Sequence, residues 1–115
     1  MVYQQPTKTP IVVDPEEVPE FYIPNAFAPE GDDPAVRTFH FTLRPGYTIE
    51  KDNFKLYIFN RGGRQVFYST DINCTWDGTF KGAPQPMGNY VYKLQYRDAE
   101  DNLKVVAGNV MLIRK

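Results

Sequence analysis

The feature that most constrains this chain is a strict two-residue alternation over residues 88–97. Tyr90, Tyr92, Leu94 and Tyr96 fall on one face; Val91, Lys93, Gln95 and Arg97 fall on the other. A period of two is the period of a strand, and an apolar face backed by a polar one predicts a half-buried antiparallel strand. Residues 38–43 alternate in the same way, with Phe39, Phe41 and Leu43 together. Residues 54–61 carry large side chains on both faces (Leu56 and Ile58; Tyr57 and Phe59), which predicts a central strand covered on both sides. Val66-Phe67-Tyr68 and the segments 103–107 and 109–113 complete the strand set. Gly108 between the last two segments predicts a bulge or bend.

Turn chemistry separates these segments. Pro45-Gly46, Gly62-Gly63 and Asp77-Gly78 are turn dipeptides, residues 83–88 form a proline loop, and residues 98–102 are a polar hairpin tip. No ten-residue stretch has a helical period. Short strands with turns every eight to twelve residues predict an all-β fold, an antiparallel β-sandwich of about seven strands. At 115 residues the chain holds one domain, and 42% hydrophobic residues are enough for a packed core.

Six of the ten prolines lie in the first 29 residues, whereas all eight glycines lie after residue 30. Residues 1–33 hold one basic and seven acidic side chains (net -6), and residues 34–115 hold twelve basic and seven acidic (net +5). This pattern predicts a Pro-rich acidic linker over residues 1–20 ahead of a single domain over residues 21–115. Ile11-Val12-Val13, just after Pro10, is a candidate edge strand within the linker.

Composition excludes several functions. A formal net charge of -1 is a poor match to a nucleic-acid binder. One cysteine forms no internal disulfide, and no apolar run is long enough to span a membrane as a helix. Hydrolytic acid–base chemistry needs facing carboxylates, or a nucleophile with a base. His40, the single histidine, sits inside an alternating strand, and Cys74 has no other imidazole to activate it. Both read as structural residues, and no catalytic set is predicted. Glu30, Asp32 and Asp33 make a weak cation candidate of hard oxygen ligands, calcium being the ion they suit. Pro34 occupies the next alternate position and offers no side-chain oxygen, so a solvated acidic loop is the stronger reading. Trp76 reads as a buried indole at a strand end, worth ~2–3 kcal/mol of burial. If it and the tyrosine stripe were exposed, they would instead suggest a sugar platform.

Five segments together resemble one family. IPNAFAPEGD (residues 23–32) is similar to the opening of the gliding-motility-associated C-terminal domain, whose form is close to PNxFxPNGDGxND. LYIFNRGGRQVF (56–67) resembles IFNRWGxxVF, and WDGTFKG (76–82) resembles WDGxxxG. PMGNYVY (86–92) resembles PxGxYxY, and GNVMLIRK (108–115) resembles GxVxLIR. The five occur in register over residues 22–115. The sequence departs from the family form in the acidic loop, which lacks the second glycine and trailing Asn-Asp, and at Gly62, where the family has tryptophan.

The resemblance implies a non-catalytic, immunoglobulin-like domain at the extreme C-terminus of a large exported protein of Bacteroidota. Such a domain is a type B sorting signal of the type IX secretion system. Its implied partners are an attached N-terminal cargo and outer-membrane components of the secretion machinery, and its implied location is the cell surface or medium, reached via the periplasm. No cofactor is implied. Pro24, Asn25, Phe27, Pro29, Phe41, Phe59, Gly63, Trp76, Asp77, Gly78, Gly82, Gly88, Tyr90, Tyr92, Gly108 and Leu112 are expected to maintain the fold. Asn60, Arg61, Arg64, Lys81, Arg114 and Lys115 are expected to face a partner, because cations at turns and at a terminus can be read by an acidic surface. The alternatives are a glycan- or protein-binding adhesion module and a structural spacer of a cell-surface protein.

Overall fold

A computed structural model describes residues 11–13 and 20–114. The chain is all-β, with sheets not closed into a barrel, in keeping with a sandwich. Its scaffold is a sheet ordered β1 (Ile11–Val13), β10 (Leu103–Leu112), β9 (Gly88–Asp98), β5 (Ile49–Phe59) and β6 (Gln65–Ser69). The β9–β10 hairpin is its spine, with ten consecutive residue pairs from Leu103↔Arg97 to Leu112↔Gly88. Five further strands have two residues each: β2 (Phe21–Tyr22), β3 (Ala26–Phe27), β4 (Thr42–Leu43), β7 (Thr79–Phe80) and β8 (Ala83–Pro84).

The alternation over 88–97 is realised as expected. Tyr90, Tyr92, Leu94 and Tyr96 are all buried, and Val91 and Lys93 are exposed. Phe54, Leu56, Ile58, Val106, Val110 and Leu112 join them on the inner face. Covering that face are rings from short strands and loops. Phe21 meets Tyr96 edge-on at 5.1 Å, Phe39 and Phe41 lie 5.3 and 5.7 Å from Tyr92, and Trp76 lies 5.2 Å from Tyr90. Tilted and edge-on pairs suit the ring quadrupoles. This second layer therefore needs little backbone pairing of its own.

Four expectations are corrected. Among the described residues there are ten strands where about seven were expected, because the second layer is broken into two-residue pieces. Within 38–43 only Thr42–Leu43 is a strand; Phe39 instead bridges Trp76. Among the described residues, the strand over 54–61 is covered on one face only. β5 lies next to the terminal strand β6, and Tyr57 and Phe59 are half-buried on the open side. Their size serves ring contacts across that open face, Tyr57 lying 6.3 Å from Phe59 and 4.9 Å from Tyr68. Gly108 makes no bulge: it pairs with Tyr92 in an unbroken register, and the register shifts fall in β5 instead.

Ile11–Val13 does form an edge strand, and it runs parallel to β10, as β3 does further along the same edge. The rest of the expected linker, residues 1–10 and 14–19, lies outside the described residues, as does Lys115. Glu20, at the linker's expected end, is 6% exposed and built into the domain. Its carboxylate accepts a hydrogen bond from the Tyr96 hydroxyl at 2.7 Å and pairs with Lys104 Nζ at 2.8 Å. Lys104 also reaches Asp98 at 3.3 Å. Asp98 in turn accepts the backbone N–H groups of Glu100 and Asn102, which closes the β9–β10 tip.

Burial opposes the charge on Glu20, but hydrogen bonds from Lys104 and Tyr96 outweigh it and hold its pKa below the ordinary 4.5. Asp98 is similarly buried and held below 3.8 by Asn102, Lys104 and Glu100. A carboxylate with a depressed folded pKa stabilises fully above its unfolded value and loses that contribution as pH falls through the folded one. Melting temperature should therefore be level from pH 7 to 5 and fall below about pH 4. Glu20→Gln should be less stable at pH 7 and converge on the parent in acid. Thermal melts of both proteins across pH 3–7 check this, and parallel curves would refute it. Lys104→Met, which leaves two carboxylates buried together, should cost about 3 kcal/mol in urea unfolding at pH 7.

Candidate recognition surface

The segments that resemble family motifs meet at the end of the sandwich opposite the Glu20 network. Four of them supply turns there. Asn60 organises the β5–β6 turn: its side-chain oxygen accepts the N–H groups of Gly62 and Arg64, and its carbonyl accepts that of Gly63. Gly63 has φ +86°, a conformation in which a side chain would be strained. Asn60 is thus spent on the turn, and what it presents outward is its neighbour. Arg61 is exposed and has no ion pair among the described residues.

Beside this turn lies the proline loop. The Tyr90 hydroxyl donates to the Pro86 carbonyl at 2.6 Å, pinning the loop to β9. Asn60, Arg61 and Gly62 on one side, with Gln85, Met87 and Asn89 on the other, line a shallow pocket of about 260 Å³. Met87 is 61% exposed at its rim. Arg64 and Lys81 converge on one ring, their charged ends 5.0 and 5.3 Å from the centre of Phe80. The aromatic ring orders two cations while leaving both exposed.

Arg114 behaves differently from the other cations. Its guanidinium donates to the Gln85 carbonyl at 2.6 Å and the Gly78 carbonyl at 3.1 Å, and it approaches Glu30 at 3.7 Å. It clamps three loops together from a side chain only 18% exposed. The Trp76-Asp77-Gly78 turn beneath it is equally committed. Asp77 accepts the N–H and hydroxyl of Thr79, and the Trp76 indole donates to the Thr79 carbonyl at 2.8 Å. Gly78 has φ +84°, and a Cβ there would lie 3.0 Å from Leu112 and 3.2 Å from Pro29.

The residues expected to maintain the fold occupy several different settings. Phe27, Phe41, Trp76, Tyr90, Tyr92 and Leu112 are in the core. The Asn25 carbonyl accepts the Met111 N–H, Pro24 is half-buried, and Gly82 and Gly88 have positive φ. Phe59 lies on the open face of the main sheet, and Gly108 lies within the regular β9–β10 ladder. Trp76 is 1% exposed, which removes it as a sugar platform.

In the acidic loop, Asp33 caps a short 3-10 turn (Pro34–Val36) by accepting the Ala35 N–H. Arg37 donates to the Gly31 and Asp32 carbonyls, placing a cation inside the loop. No group of three or more metal-ligating side chains occurs among the described residues. Of the reactive side chains, His40 Nδ1 is 3.1 Å from the Thr38 hydroxyl. Burial raises the pKa of Cys74, which keeps it a thiol at neutral pH.

Reading the sequence alone missed the carbonyl-clamping role of Arg114 and the Glu20–Lys104–Asp98 network. Both join segments far apart in the chain, and no local spacing signals either.

Gly78→Ala should destabilise the domain by about 2–3 kcal/mol, combining a left-handed backbone with the contact at Leu112. Gly82→Ala has φ +81° and nothing within 4 Å of the added carbon, so it should cost about 1–2 kcal/mol. Urea unfolding of the two variants separates the packing part from the backbone part; equal losses would refute it. The fluorescence of Trp76, the sole tryptophan, should be blue-shifted and resist iodide quenching until the domain unfolds.

Comparison with known proteins agrees with this architecture. No curated protein matches the chain. A family model described as the CHU_C type IX secretion signal domain matches residues 21–112. That span takes in the whole Arg61–Phe80 end, the tyrosine face and the β9–β10 spine, so the chain belongs to the type IX secretion signal domain family, whose role is to direct an attached cargo through the type IX secretion system.

Proposed function

We propose that this domain acts as a non-catalytic, immunoglobulin-like sorting tag, read at its turn end by an outer-membrane component of the type IX machinery. The observation that carries the reading is the state of Arg61. It is an exposed cation without an ion pair among the described residues, beside a pocket where two of the family-like segments meet. Arg64 and Lys81, ordered on Phe80, extend the positive surface. Asn60 and Arg114 hold the loops that present these cations, so they are positioning residues. The complementary partner surface is acidic, and opposite charge speeds encounter and fixes register.

Export to the cell surface or extracellular space follows from the signal. Passage through the periplasm, a Bacteroidota host and an N-terminal cargo belong to the same proposal. Burial of Trp76, Tyr90, Tyr92 and Tyr96 supports sorting over sugar binding, because it leaves those rings no face to offer a ligand. No cofactor is needed for the tag to be recognised.

The test is a reporter with its own export signal, fused ahead of residues 1–115. It is expressed in a Bacteroidota host with intact type IX secretion and in a secretion-null strain. Reporter should reach the surface or medium only in the competent strain. Arg61→Glu should lower export at least about ten-fold without changing the urea midpoint, as expected when a charge at a docking site is reversed. Equal export from both strains would overturn the sorting role. Undiminished export of Arg61→Glu would overturn the turn end as the recognised site.

A further inference from the structure

The open face of the main sheet carries a second surface. Tyr68 on β6, Tyr57 and Phe59 on β5, Val91 and Lys93 on β9, and Met111 on β10 all point away from the core. Tyr68, Val91 and Met111 are 45%, 42% and 36% exposed, although each occupies a strand position that a polar residue would fill as well. They are neighbours in space. Tyr57 faces both Tyr68 and Lys93 across its strand pairs, and Phe59 faces Val91. Lys93 Nζ lies 5.8 Å from the centre of the Tyr57 ring.

At the centre of this face, the outward positions within 55–59, 89–95 and 105–111 include two lysines and no carboxylate; further along the same face Glu50 and Arg97 occupy opposed positions on β5 and β9. An apolar and aromatic centre bordered by cations is the composition of a protein-docking patch, in which buried rings supply affinity and the charged border supplies selectivity. A second copy of the chain is a poor occupant, because it would bring Lys93 and Lys55 against like charges. A pyranose is poor also: Tyr57 and Phe59 are within 9° of parallel, but Tyr68, the most exposed of the three, is tilted 43° against Tyr57 at 4.9 Å, so the three rings share no common plane.

We propose that this open face docks on a partner protein whose matching surface is an apolar patch flanked by Asp or Glu side chains. The face runs into the turn end through Phe59–Asn60 and through Asn89, which pairs with Met111 and also lines the Arg61 pocket. The inference deepens the proposed reading, on which it rests, by extending the recognised surface from the loop tips onto the sheet.

The test uses the full chain fused to the reporter, with Tyr68→p-benzoylphenylalanine as an in-cell photocrosslinker. The same substitution at Tyr22, 58% exposed on β2 in the other layer, is the control. Tyr68 should cross-link one protein through a peptide rich in Asp or Glu, and Tyr22 should not. Adding Lys93→Glu should reduce that product at least about ten-fold with the urea midpoint unchanged, whereas Lys93→Arg should retain it.

Absence of a Tyr68 product, equal products at both positions, a product with a second copy or with glycan, or insensitivity to Lys93→Glu would each overturn the inference. If any of these occurs while wild-type export still depends on the secretion system and on Arg61, the sorting reading stands and only the sheet surface fails. If the wild-type fusion is not exported, the sorting reading fails, and the cross-link alone decides the surface.

Discussion

The structure depends on a reciprocal backbone pair between Phe39 and Trp76. Each residue donates its N–H to the other's carbonyl, at 2.8 and 2.9 Å. Neither belongs to a strand, and 37 positions separate them, so the pair brings together two long loops that lack a ladder of their own. Both side chains are then driven into the core, Phe39 beside Phe27 and Tyr92, Trp76 beside Phe27 and Tyr90. Backbone polar groups pulled inward must find partners, and here the two buried residues satisfy each other. The indole N–H then fixes the start of β7 at Thr79, and the turn just ahead of that strand supplies the Gly78 carbonyl to Arg114.

The two ends of the sandwich are closed by different means. At one end Glu20, Tyr96, Lys104 and Asp98 form a buried network in which every charge has a partner. At the other, roughly 33 Å away along β9, Arg114 spends its charge largely on backbone carbonyls. The first arrangement neutralises charge where the chain enters the domain. The second consumes a cation to fix the loops, so the cations left outward there are those of the turns themselves.

What was legible in the sequence follows from what is local. Tyr90, Tyr92, Leu94 and Tyr96 show their face directly, because a strand's period depends on no distant partner. Asn60-Arg61-Gly62-Gly63 and Asp98 to Asn102 announce turns because left-handed backbone and side-chain caps are chosen within a few residues. Phe59 misled for a physical reason. A large ring is stable on an open face when another ring lies against it, so size alone does not report burial. Gly108 misled because glycine is also tolerated in a regular ladder. The split second layer, the parallel pairing of β1 with β10 and the Lys104 network are set by contacts across most of the chain. Of the candidate site, Arg61, Arg64 and Lys81 were legible as turn cations, but the sharing of Phe80 and the inward use of Asn60 and Arg114 were not.

The parallel course of β1 beside β10 has a mechanical consequence. Ile11 pairs at Lys104, near the Glu20 end, while Arg61 and Arg114 lie toward the end reached by Leu112. A pull on the chain ahead of Ile11, with the domain gripped at its turn end, runs along the strands. The β1–β10 hydrogen bonds are then loaded together in shear, not peeled one after another, and resistance to forced unfolding is a matter of rate. Behind them the Lys104–Glu20 pair gives a second tie at the same end. A lengthwise pull on this domain therefore meets its strongest resistance, whereas a sideways pull would open the same edge one bond at a time.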